Sequence, residues 1–191
     1  MPTLTSQFSL PRWLQGGTLS LTLTLGLATG CDNYPATGET ITTGTYEATA
    51  TVTQTWQVNY ATSFDRRQTI HQETFESNSL VNRNGVRPDG AVTGPDDEGL
   101  YWPPLPPRPT AAELDGRKRE PIEQRTDPAL IRDAKYAITF DYNGQRSTLP
   151  TTRTVYLEAS QAFADQQALE LTYGPGQQSI GAARRIASFD R

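Results

Sequence analysis

The amino-acid sequence predicts a mainly β protein: a small antiparallel β-sandwich or a partly closed barrel, with a long proline-rich insertion and one or two short helices. Two segments carry the period of a β-strand, Tyr46–Tyr60 and the stretch that begins at Lys135. Nine of the 14 prolines lie between them, in residues 77–133, where β-branched residues are few. Strand periodicity on both sides of a proline-rich stretch indicates one β domain interrupted by a long insertion.

The first 30 residues have the layout of an export signal. One charge, Arg12, precedes a ten-residue apolar stretch from Thr18 to Leu27. A membrane-spanning helix needs about 20 apolar residues, whereas the apolar core of a signal peptide needs only about 7–15. We therefore expect residues 1–30 to be a signal peptide and not a membrane anchor.

The apolar stretch runs into residues 27–31, LATGC, which resemble the lipobox of bacterial lipoproteins. In that family the cysteine receives a diacylglycerol and becomes the first residue of the mature chain. The resemblance implies lipidation at Cys31 and a protein anchored to a bacterial membrane on its exported side. In enterobacterial lipoproteins an Asp in the second mature position favours the periplasmic face of the inner membrane, and Asp32 stands there. Residues 31–43 are rich in Gly, Thr, Asn and Pro and are expected to form a flexible tether.

The first β block is expected over residues 44–76. From Tyr46 to Tyr60, apolar and aromatic side chains alternate with Thr, Glu, Gln and Asn. A period of two places one set on a buried face of a strand and the other in solvent. Fifteen residues would span roughly 50 Å, which exceeds a typical strand. We therefore expect a bend or bulge near Gln54, the polar residue on the apolar face.

The second β block is expected over residues 135–186, followed by a tail at residues 187–191. Further strands are expected at residues 154–159 and 168–173, with a short helical turn in residues 160–167 between them.

A tight hairpin is expected within this block at Asn143-Gly144, because both residues tolerate positive φ. Pairing across the turn sets Phe140 opposite Ser147 and Ile138 opposite Leu149. Pro150 then ends the ladder or marks a sheet edge.

Residues 77–134 are expected to form the proline-rich insertion, a loop or wrap without a core of its own. Thr110-Ala-Ala-Glu113 matches a capping box and predicts a short helix that continues through Arg119. Asp127-Pro128 suits the N-cap and first position of another helical turn.

The most distinctive segment of the insertion is residues 101–109, YWPPLPPRP, in which five prolines favour polyproline II. Its Pro-x-x-Pro-x-Arg spacing superficially resembles ligands of eukaryotic SH3 domains, which an exported bacterial protein would not meet. Two interpretations remain open. Tyr101, Trp102 and Leu105 pin the insertion onto the apolar face of the sheet, or together with Arg108 they form an exposed strip that docks a partner.

Few residues of the mature chain suit catalysis or metal binding. His71 is the one histidine of the sequence, and Cys31, the one cysteine, is consumed by lipid. Zinc and other transition metals need several His or Cys ligands, so no metal site is expected. No cofactor is predicted either. No nucleophile signature accompanies His71, which we expect at the surface or at a strand edge. The acidic run at residues 96–98 lacks the spaced oxygen ligands of a calcium loop.

The charge balance argues against nucleic acid as a partner. Because Arg12 lies in the signal, the mature chain carries 16 basic and 21 acidic side chains, a net charge near −5. The arginines are dispersed along the chain, whereas binding to a phosphate backbone requires a concentrated positive surface.

Three functions fit the sequence, and the first needs nothing that the sequence lacks. It is a non-enzymatic, lipid-anchored cell-envelope protein that binds a protein or cell-wall partner, or assists assembly of a membrane complex. The second is an envelope hydrolase with paired carboxylates, for which Asp141, Glu158 and Glu170 are the candidates. These carboxylates fall on the polar register of their strands, which favours a solvated sheet face.

The third function is that of a carrier for a small apolar ligand. Gln54, Trp56 and Tyr60 would then line the inside of a barrel.

Overall fold

The structure is a computed structural model that describes residues 38–63 and 71–187. The predicted signal peptide, Cys31 and Asp32 lie outside these residues, as do residues 188–191 of the predicted tail. Within the described residues, no helix has the length and apolar character needed to cross a membrane.

The described residues form eight strands and two α-helices. In chain order they are β1 (Thr40–Thr43), β2 (Tyr46–Ala61), β3 (His71–Arg83), α1 (Ala111–Gly116), β4 (Gln124–Arg125), β5 (Ala129–Tyr142), β6 (Gln145–Thr151), α2 (Arg153–Ala164), β7 (Ala168–Tyr173) and β8 (Ile180–Ile186), with a short 3₁₀ turn at Pro175–Gln177.

The strands form one sheet in the order β1-β7-β8-β6-β5-β2-β3, with β4 paired to the end of β2. The predicted mainly β class is confirmed, and the sheet does not close into a barrel. The prediction of a purely antiparallel sheet is wrong at one place, because β6 and β8 pair in parallel at Thr151 and Ile180. Helix α2 and strand β7 connect these two strands, and a parallel pair requires such a crossover.

Strand β2 confirms the predicted alternation. Ala48, Ala50 and Val52 are buried, and the intervening residues are exposed or half-buried. Gln54 is buried with them, at 1% exposure. The predicted irregularity near Gln54 is a register shift against β3 between Thr55 and Gln57. It allows a 16-residue strand to bend over the core.

The Asn143-Gly144 hairpin forms as predicted. Both residues have positive φ, 51° and 75°, and the ladder pairs Phe140 with Ser147 and Ile138 with Leu149. The ladder continues one residue past Pro150, to Thr151.

The strand predicted at residues 154–159 is wrong, because these residues belong to helix α2. Its side chains Val155, Tyr156, Ala159 and Ala162 enter the core, a spacing that forms one face of a helix. Thr152 caps the helix by accepting a hydrogen bond from the Val155 N–H. A short apolar run does not distinguish strand from helix by its period alone. The helical turn predicted for residues 160–167 is the C-terminal part of this helix.

The structure also corrects the residue bounds predicted for the tether and for the insertion. The tether prediction is wrong for residues 40–43, because β1 pairs with β7 over four residues and buries Ile41. Strand β3 runs to Arg83 and β5 starts at Ala129, so the insertion spans residues 84–128.

The capping box of α1 is confirmed, with Thr110 and Glu113 bonding reciprocally, but the helix ends at Gly116 and not at Arg119. The helical turn predicted at Asp127-Pro128 is wrong, because these two residues lead directly into β5.

The core lies between the inner face of the sheet, helix α2 and the start of the proline-rich segment. Its buried members are Ile41, Ala48, Ala50, Val52, Leu100, Trp102, Ile138, Phe140, Val155, Tyr156, Ala159, Ala162, Leu169, Leu171 and Ile180. A second, smaller cluster joins Val58 and Tyr60 of β2 to Leu114 of α1, with Phe75 packed against it. Helix α1 is thereby held at the far end of β2.

Candidate functional site

The proline-rich segment, residues 101–109, runs along β3 over the inner face of the sheet. The amide of Asn82 donates to the Tyr101 carbonyl at 3.0 Å and accepts from the Tyr101 N–H at 2.8 Å. Further along, Asn78 donates to the Pro104 carbonyl at 2.9 Å. Prolines cannot donate backbone hydrogen bonds, so the sheet binds this segment through side-chain amides and not through a β ladder.

The four residues proposed from the sequence as a docking strip do not share one surface. Trp102 belongs to the core, at 6% exposure, and Tyr101 is half-buried. Leu105 is 58% exposed and pins nothing. Arg108 is exposed, and its guanidinium carbon lies 5.6 Å from the centre of the Trp56 ring. Trp102 is therefore the anchor of the segment, while Leu105 and Arg108 face solvent.

The three residues proposed to line a ligand cavity do not surround one. Tyr60 is fully buried, and its hydroxyl donates to the Leu114 carbonyl at 2.7 Å. The Trp56 indole N–H donates to the Pro106 carbonyl at 2.9 Å. The Gln54 side-chain carbonyl is buried without a hydrogen-bond partner among the described residues. None of the three side chains lines either cleft described below.

The candidate carboxylates lie on three different elements, and each one contacts an arginine. The ion pairs are Asp141–Arg146 at 4.0 Å, Glu158–Arg185 at 2.9 Å and Glu170–Arg184 at 2.9 Å. Glycoside hydrolysis requires two carboxyl groups that face each other across a bond. The described residues do not place these three carboxylates in that arrangement.

His71 is buried, which corrects its predicted position at the surface, although it does lie on the terminal strand of the sheet. Its Nδ1 is 3.2 Å from a carboxylate oxygen of Glu73, and its Nε2 is 3.2 Å from one of Glu123. The ring also stacks on Tyr60 with 4.7 Å between centroids. Both ring nitrogens therefore contact carboxylates of the same chain.

Glu123 is the partner that sequence reasoning missed. It lies in the loop before β4, 52 residues from His71, and no local pattern marks it. Burial would raise the pKa of this carboxyl. The Arg119 N–H, which donates at 2.8 Å, and the His71 ring outweigh that effect, so the pKa of Glu123 is lowered. The pair joins the end of the insertion to the start of β3 and is a structural clamp.

A mostly apolar cleft of about 570 Å³, here called the α2 cleft, lies on the surface of the domain. Its walls are the exposed side of α2, the turn after β3 and the loop before the proline-rich segment. It is lined by Asn84, Gly85, Val86, Pro95, Gly99, Tyr101, Tyr156, Leu157, Ser160, Gln161, Phe163, Ala164 and Gln166. None of these lining residues is charged. Val86 is 58% exposed and Phe163 is 45% exposed, so both present apolar surface to solvent.

Two hydroxyl groups lie beneath the α2 cleft. The hydroxyl oxygens of Tyr156 and Ser160 are buried. The Tyr156 hydroxyl lies near the Ser160 hydroxyl and the Gly85 backbone, but the atoms do not meet the distance and angle limits of a hydrogen bond. Burial raises the pKa of Tyr156, so its phenol is neutral at pH 7. Gly85 allows the turn to pass close above them, because a Cβ there would lie 3.1 Å from the Ser160 Cβ and φ is +70°.

A second cleft, of about 560 Å³, lies between β3, the proline-rich segment and α1. Its lining includes Phe75, Arg108, Glu113 and Arg117. The Glu113 carboxylate accepts the capping-box hydrogen bond from the Thr110 N–H. The guanidinium carbon of Arg117 lies 5.8 Å from the centre of the Phe75 ring. Four charged residues, Glu76, Arg108, Glu113 and Arg117, line this second cleft, whereas none lines the α2 cleft, which makes the α2 cleft the better candidate for an apolar ligand site.

The amino-acid sequence does not predict the α2 cleft, because residues 154–159 suit a strand as well as a helix. The signal that could have found it is the Thr152 cap together with the spacing of Val155, Ala159 and Ala162. A helix over these residues leaves Phe163 on the face away from the core.

Among the described residues, no group of three or more His, Cys, Asp or Glu side chains is arranged to hold a metal ion. In the comparisons with known proteins, no family model, no curated protein and no solved structure matches the chain.

Proposed function

We propose that this chain is a non-enzymatic, lipid-anchored protein of the bacterial cell envelope that binds a small, uncharged apolar ligand in the α2 cleft. The observation that carries the proposal is the character of that cleft: about 570 Å³ of space without a charged residue in its described lining. Ligand sites of proteins are typically concave, mostly apolar and about 300–1,000 Å³ in volume.

The lining favours binding over catalysis. General acid–base chemistry needs a titratable group within hydrogen-bond reach of the reacting atoms. The described side chains of the cleft offer amides, hydroxyls and apolar groups, and burial raises the pKa of Tyr156 further above its ordinary value of 10. A charged ligand would lose its hydration there without gaining a counter-ion.

The lipid anchor rests on the sequence alone, on the apolar stretch followed by LATGC at residues 27–31. A chain anchored through Cys31 would hold the β domain at the membrane surface, where apolar molecules partition.

The anchor is tested by intact mass and membrane partitioning of the protein expressed in bacteria, wild type against Cys31→Ala. We expect wild type to carry the mass of a diacylglycerol and to partition into membranes, and Cys31→Ala to remain an unlipidated precursor. If the two proteins have the same processing and partitioning, the anchor proposal is wrong.

Ligand binding is tested with N-phenyl-1-naphthylamine, a neutral apolar probe whose fluorescence rises in an apolar site. Val86→Asp adds a charge to the mouth of the cleft at a residue that is 58% exposed, so the fold should tolerate it. We expect probe affinity to fall by about fivefold or more, equivalent to about 1 kcal/mol.

The matched control is Ile122→Asp, at a residue that is 71% exposed and does not line the cleft. It should bind the probe as wild type does. Absence of probe binding to wild type, or an equal loss in both variants, would show that the α2 cleft is not an apolar ligand site.

A further inference from the structure

The second cleft, between β3, the proline-rich segment and α1, carries charges of both signs and is here called the α1 cleft. Its charged lining residues are Glu76, Arg108, Glu113 and Arg117. A simple anion would meet two carboxylates there, and a simple cation would meet two guanidinium groups. A ligand that carries one positive and one negative group matches this lining better than either.

A β-bulge directs Glu76 into the α1 cleft. The register of β3 against β2 shifts between Thr55 and Gln57 of β2. Two consecutive residues of β3, Phe75 and Glu76, therefore lie opposite the single residue Trp56. In a regular strand these two side chains would point to opposite faces, whereas here both line the cleft. Bulges that redirect a side chain in this way are frequent beside functional sites.

The two arginines of the cleft stand over aromatic rings. The guanidinium carbon of Arg108 lies 5.6 Å from the centre of the Trp56 ring. That of Arg117 lies 5.8 Å from the centre of the Phe75 ring. A guanidinium over a ring engages its flat face, so the N–H groups at its edge stay available to a carboxylate. Among the described residues Arg108 forms no ion pair, and that of Arg117 with Glu73 is long, at 4.0 Å.

The two rings beneath these arginines are neighbours in the sheet, because Trp56 of β2 and Phe75 of β3 face each other at the bulge. Arg108 reaches the cleft from the proline-rich segment, and Arg117 reaches it from the C-cap of α1. A carboxylate in the cleft is therefore offered N–H donors from two walls, and such charge-assisted hydrogen bonds are strong.

The two glutamates of the cleft retain free acceptor oxygens. Glu76 is exposed and forms no ion pair within the part of the chain that the structure describes. The Oε2 atom of Glu113 accepts from the N–H and the hydroxyl of Thr110, at 2.7 Å and 2.8 Å. Its Oε1 atom accepts from no described residue. An ammonium group carries three N–H donors and suits such acceptors.

We propose that the α1 cleft binds a zwitterion, namely an amino acid or short peptide with a free ammonium group, a free carboxylate and an apolar side chain. The carboxylate accepts hydrogen bonds from Arg108 and Arg117. The ammonium group pairs with Glu76, and the apolar side chain packs on Phe75 and the neighbouring prolines of the lining. This site is separate from the α2 cleft, and the inference does not rest on the proposed function.

The first test is calorimetric titration of the full chain, in a mild detergent, with L-phenylalanine and with the dipeptide alanyl-phenylalanine. We expect at least one of them to bind wild type with a Kd below about 1 mM. Binding of the dipeptide alone would identify a peptide as the ligand, and equal binding of phenylalanine would identify an amino acid. Arg108→Gln and Arg117→Gln should each weaken binding by about fivefold or more.

The matched control for the arginines is Arg87→Gln. Arg87 also stands over a ring, with its guanidinium carbon 5.6 Å from the centre of the Tyr101 ring, but it does not line the α1 cleft. Its replacement should change the affinity by less than about twofold.

The second test assigns the ammonium group to Glu76. N-acetylation of the ligand removes that charge and should weaken binding to wild type by about fivefold or more. In Glu76→Gln the same N-acetylation should change the affinity by less than about twofold, because the partner carboxylate is already absent. Glu120→Gln, at an exposed glutamate outside the cleft, should respond to N-acetylation as wild type does.

Three results would each overturn the zwitterion site: no binding of either ligand at about 1 mM, an equal loss of affinity in Arg87→Gln and Arg108→Gln, or an equal effect of N-acetylation in wild type and Glu76→Gln. Val86→Asp, which changes the α2 cleft, should leave these titrations unchanged, so this inference and the proposed function can fail separately. Far-UV circular dichroism of each variant confirms that the sheet is intact.

Discussion

The Nε2 atom of His71 lies 3.2 Å from a carboxylate oxygen of Glu123, and both side chains are buried although 52 residues separate them in the chain. The same histidine stacks on Tyr60, whose hydroxyl binds the backbone of Leu114 in α1. These contacts attach the C-terminal half of the insertion to the ends of β2 and β3. Strand β4, the packing of Leu114 against Val58 and Phe75, and the ion pair of Arg119 with Glu73 are further contacts between that half and the sheet.

Removal of the imidazole should loosen this attachment. His71→Ala leaves the buried Glu123 carboxylate without its side-chain partner and removes the ring that stacks on Tyr60. We expect the midpoint of thermal unfolding to fall by at least about 4 °C. Gln72→Ala, at the exposed neighbouring position, should change it by less than about 2 °C. Equal effects of the two variants in differential scanning calorimetry would show that the clamp does not contribute to stability.

The clamp should also make stability depend on pH in the acid range. The pKa of Glu123 is lowered from its ordinary value of 4.5, so the folded state binds the proton more weakly than the unfolded state. The contribution of the ionised Glu123 carboxylate to the free energy of unfolding is fully present above pH 4.5. It is lost as pH falls through the lowered pKa of the folded state.

Glu123→Gln removes this titration. The difference in unfolding free energy between wild type and Glu123→Gln should therefore shrink as pH falls from about 6 to about 3, measured by urea unfolding. If that difference in unfolding free energy stays constant over this pH range, the ionised Glu123 carboxylate does not stabilise the folded state.

Asp96 organises the loop that brings Trp102 into the core. Burial would raise its pKa, but the Trp102 indole N–H and the N–H groups of Leu100 and Glu98 all donate to its carboxylate and lower it. Asp96→Ala removes every one of these acceptors. We expect a loss of about 1–3 kcal/mol in unfolding free energy and faster hydrogen exchange at Leu100 and Glu98.

Asp97→Ala is the matched control for this loop, because Asp97 is exposed and accepts none of those hydrogen bonds. Its unfolding free energy should stay within about 0.5 kcal/mol of wild type. If both variants lose the same stability, the carboxylate of Asp96 does not organise the loop.

Two fully buried tyrosines differ in what their hydroxyls bind. The Tyr60 hydroxyl donates to the Leu114 carbonyl. Among the described residues, the Tyr156 hydroxyl has only the Ser160 hydroxyl and the Gly85 backbone as polar neighbours, and neither meets the geometry of a hydrogen bond. Tyr60→Phe leaves a buried carbonyl unpaired and should cost about 1–2 kcal/mol. Tyr156→Phe should change the unfolding free energy by less than about 0.5 kcal/mol, or raise it. A larger loss at Tyr156 than at Tyr60 would mean that the Tyr156 hydroxyl has a partner in the folded protein.

Several elements could be predicted from the sequence because short-range rules decide them. The alternation in β2 specifies which side chains face the core, and a one-residue slip would reverse every one of them. Asn143-Gly144 specifies a two-residue turn, which in turn determines the register of Phe140 against Ser147. The capping box at Thr110 and Glu113 satisfies backbone groups only three residues apart.

The candidate site could not be predicted in the same way. Residues 154–159 have an apolar pattern that suits a strand or a helix, and the choice depends on packing against β2, β5 and β8. The α2 cleft exists only because α2 is a helix whose side chain Phe163 faces the turn at Gly85 and Val86. Trp102 and Leu105 look equivalent in the proline-rich segment, but only Trp102 reaches the core.

Local sequence patterns were sufficient to predict the mainly β class, the buried face of β2, the hairpin register and the start of α1. Each of these depends on neighbours in the chain, whose geometry the backbone constrains directly. Three other features follow from tertiary contacts: the parallel pairing of β6 with β8, the helix at α2 and the pairing of His71 with Glu123. These features depend on contacts between residues far apart in the chain. The free energy that stabilises them comes from burying side chains in those contacts, which no local sequence pattern specifies.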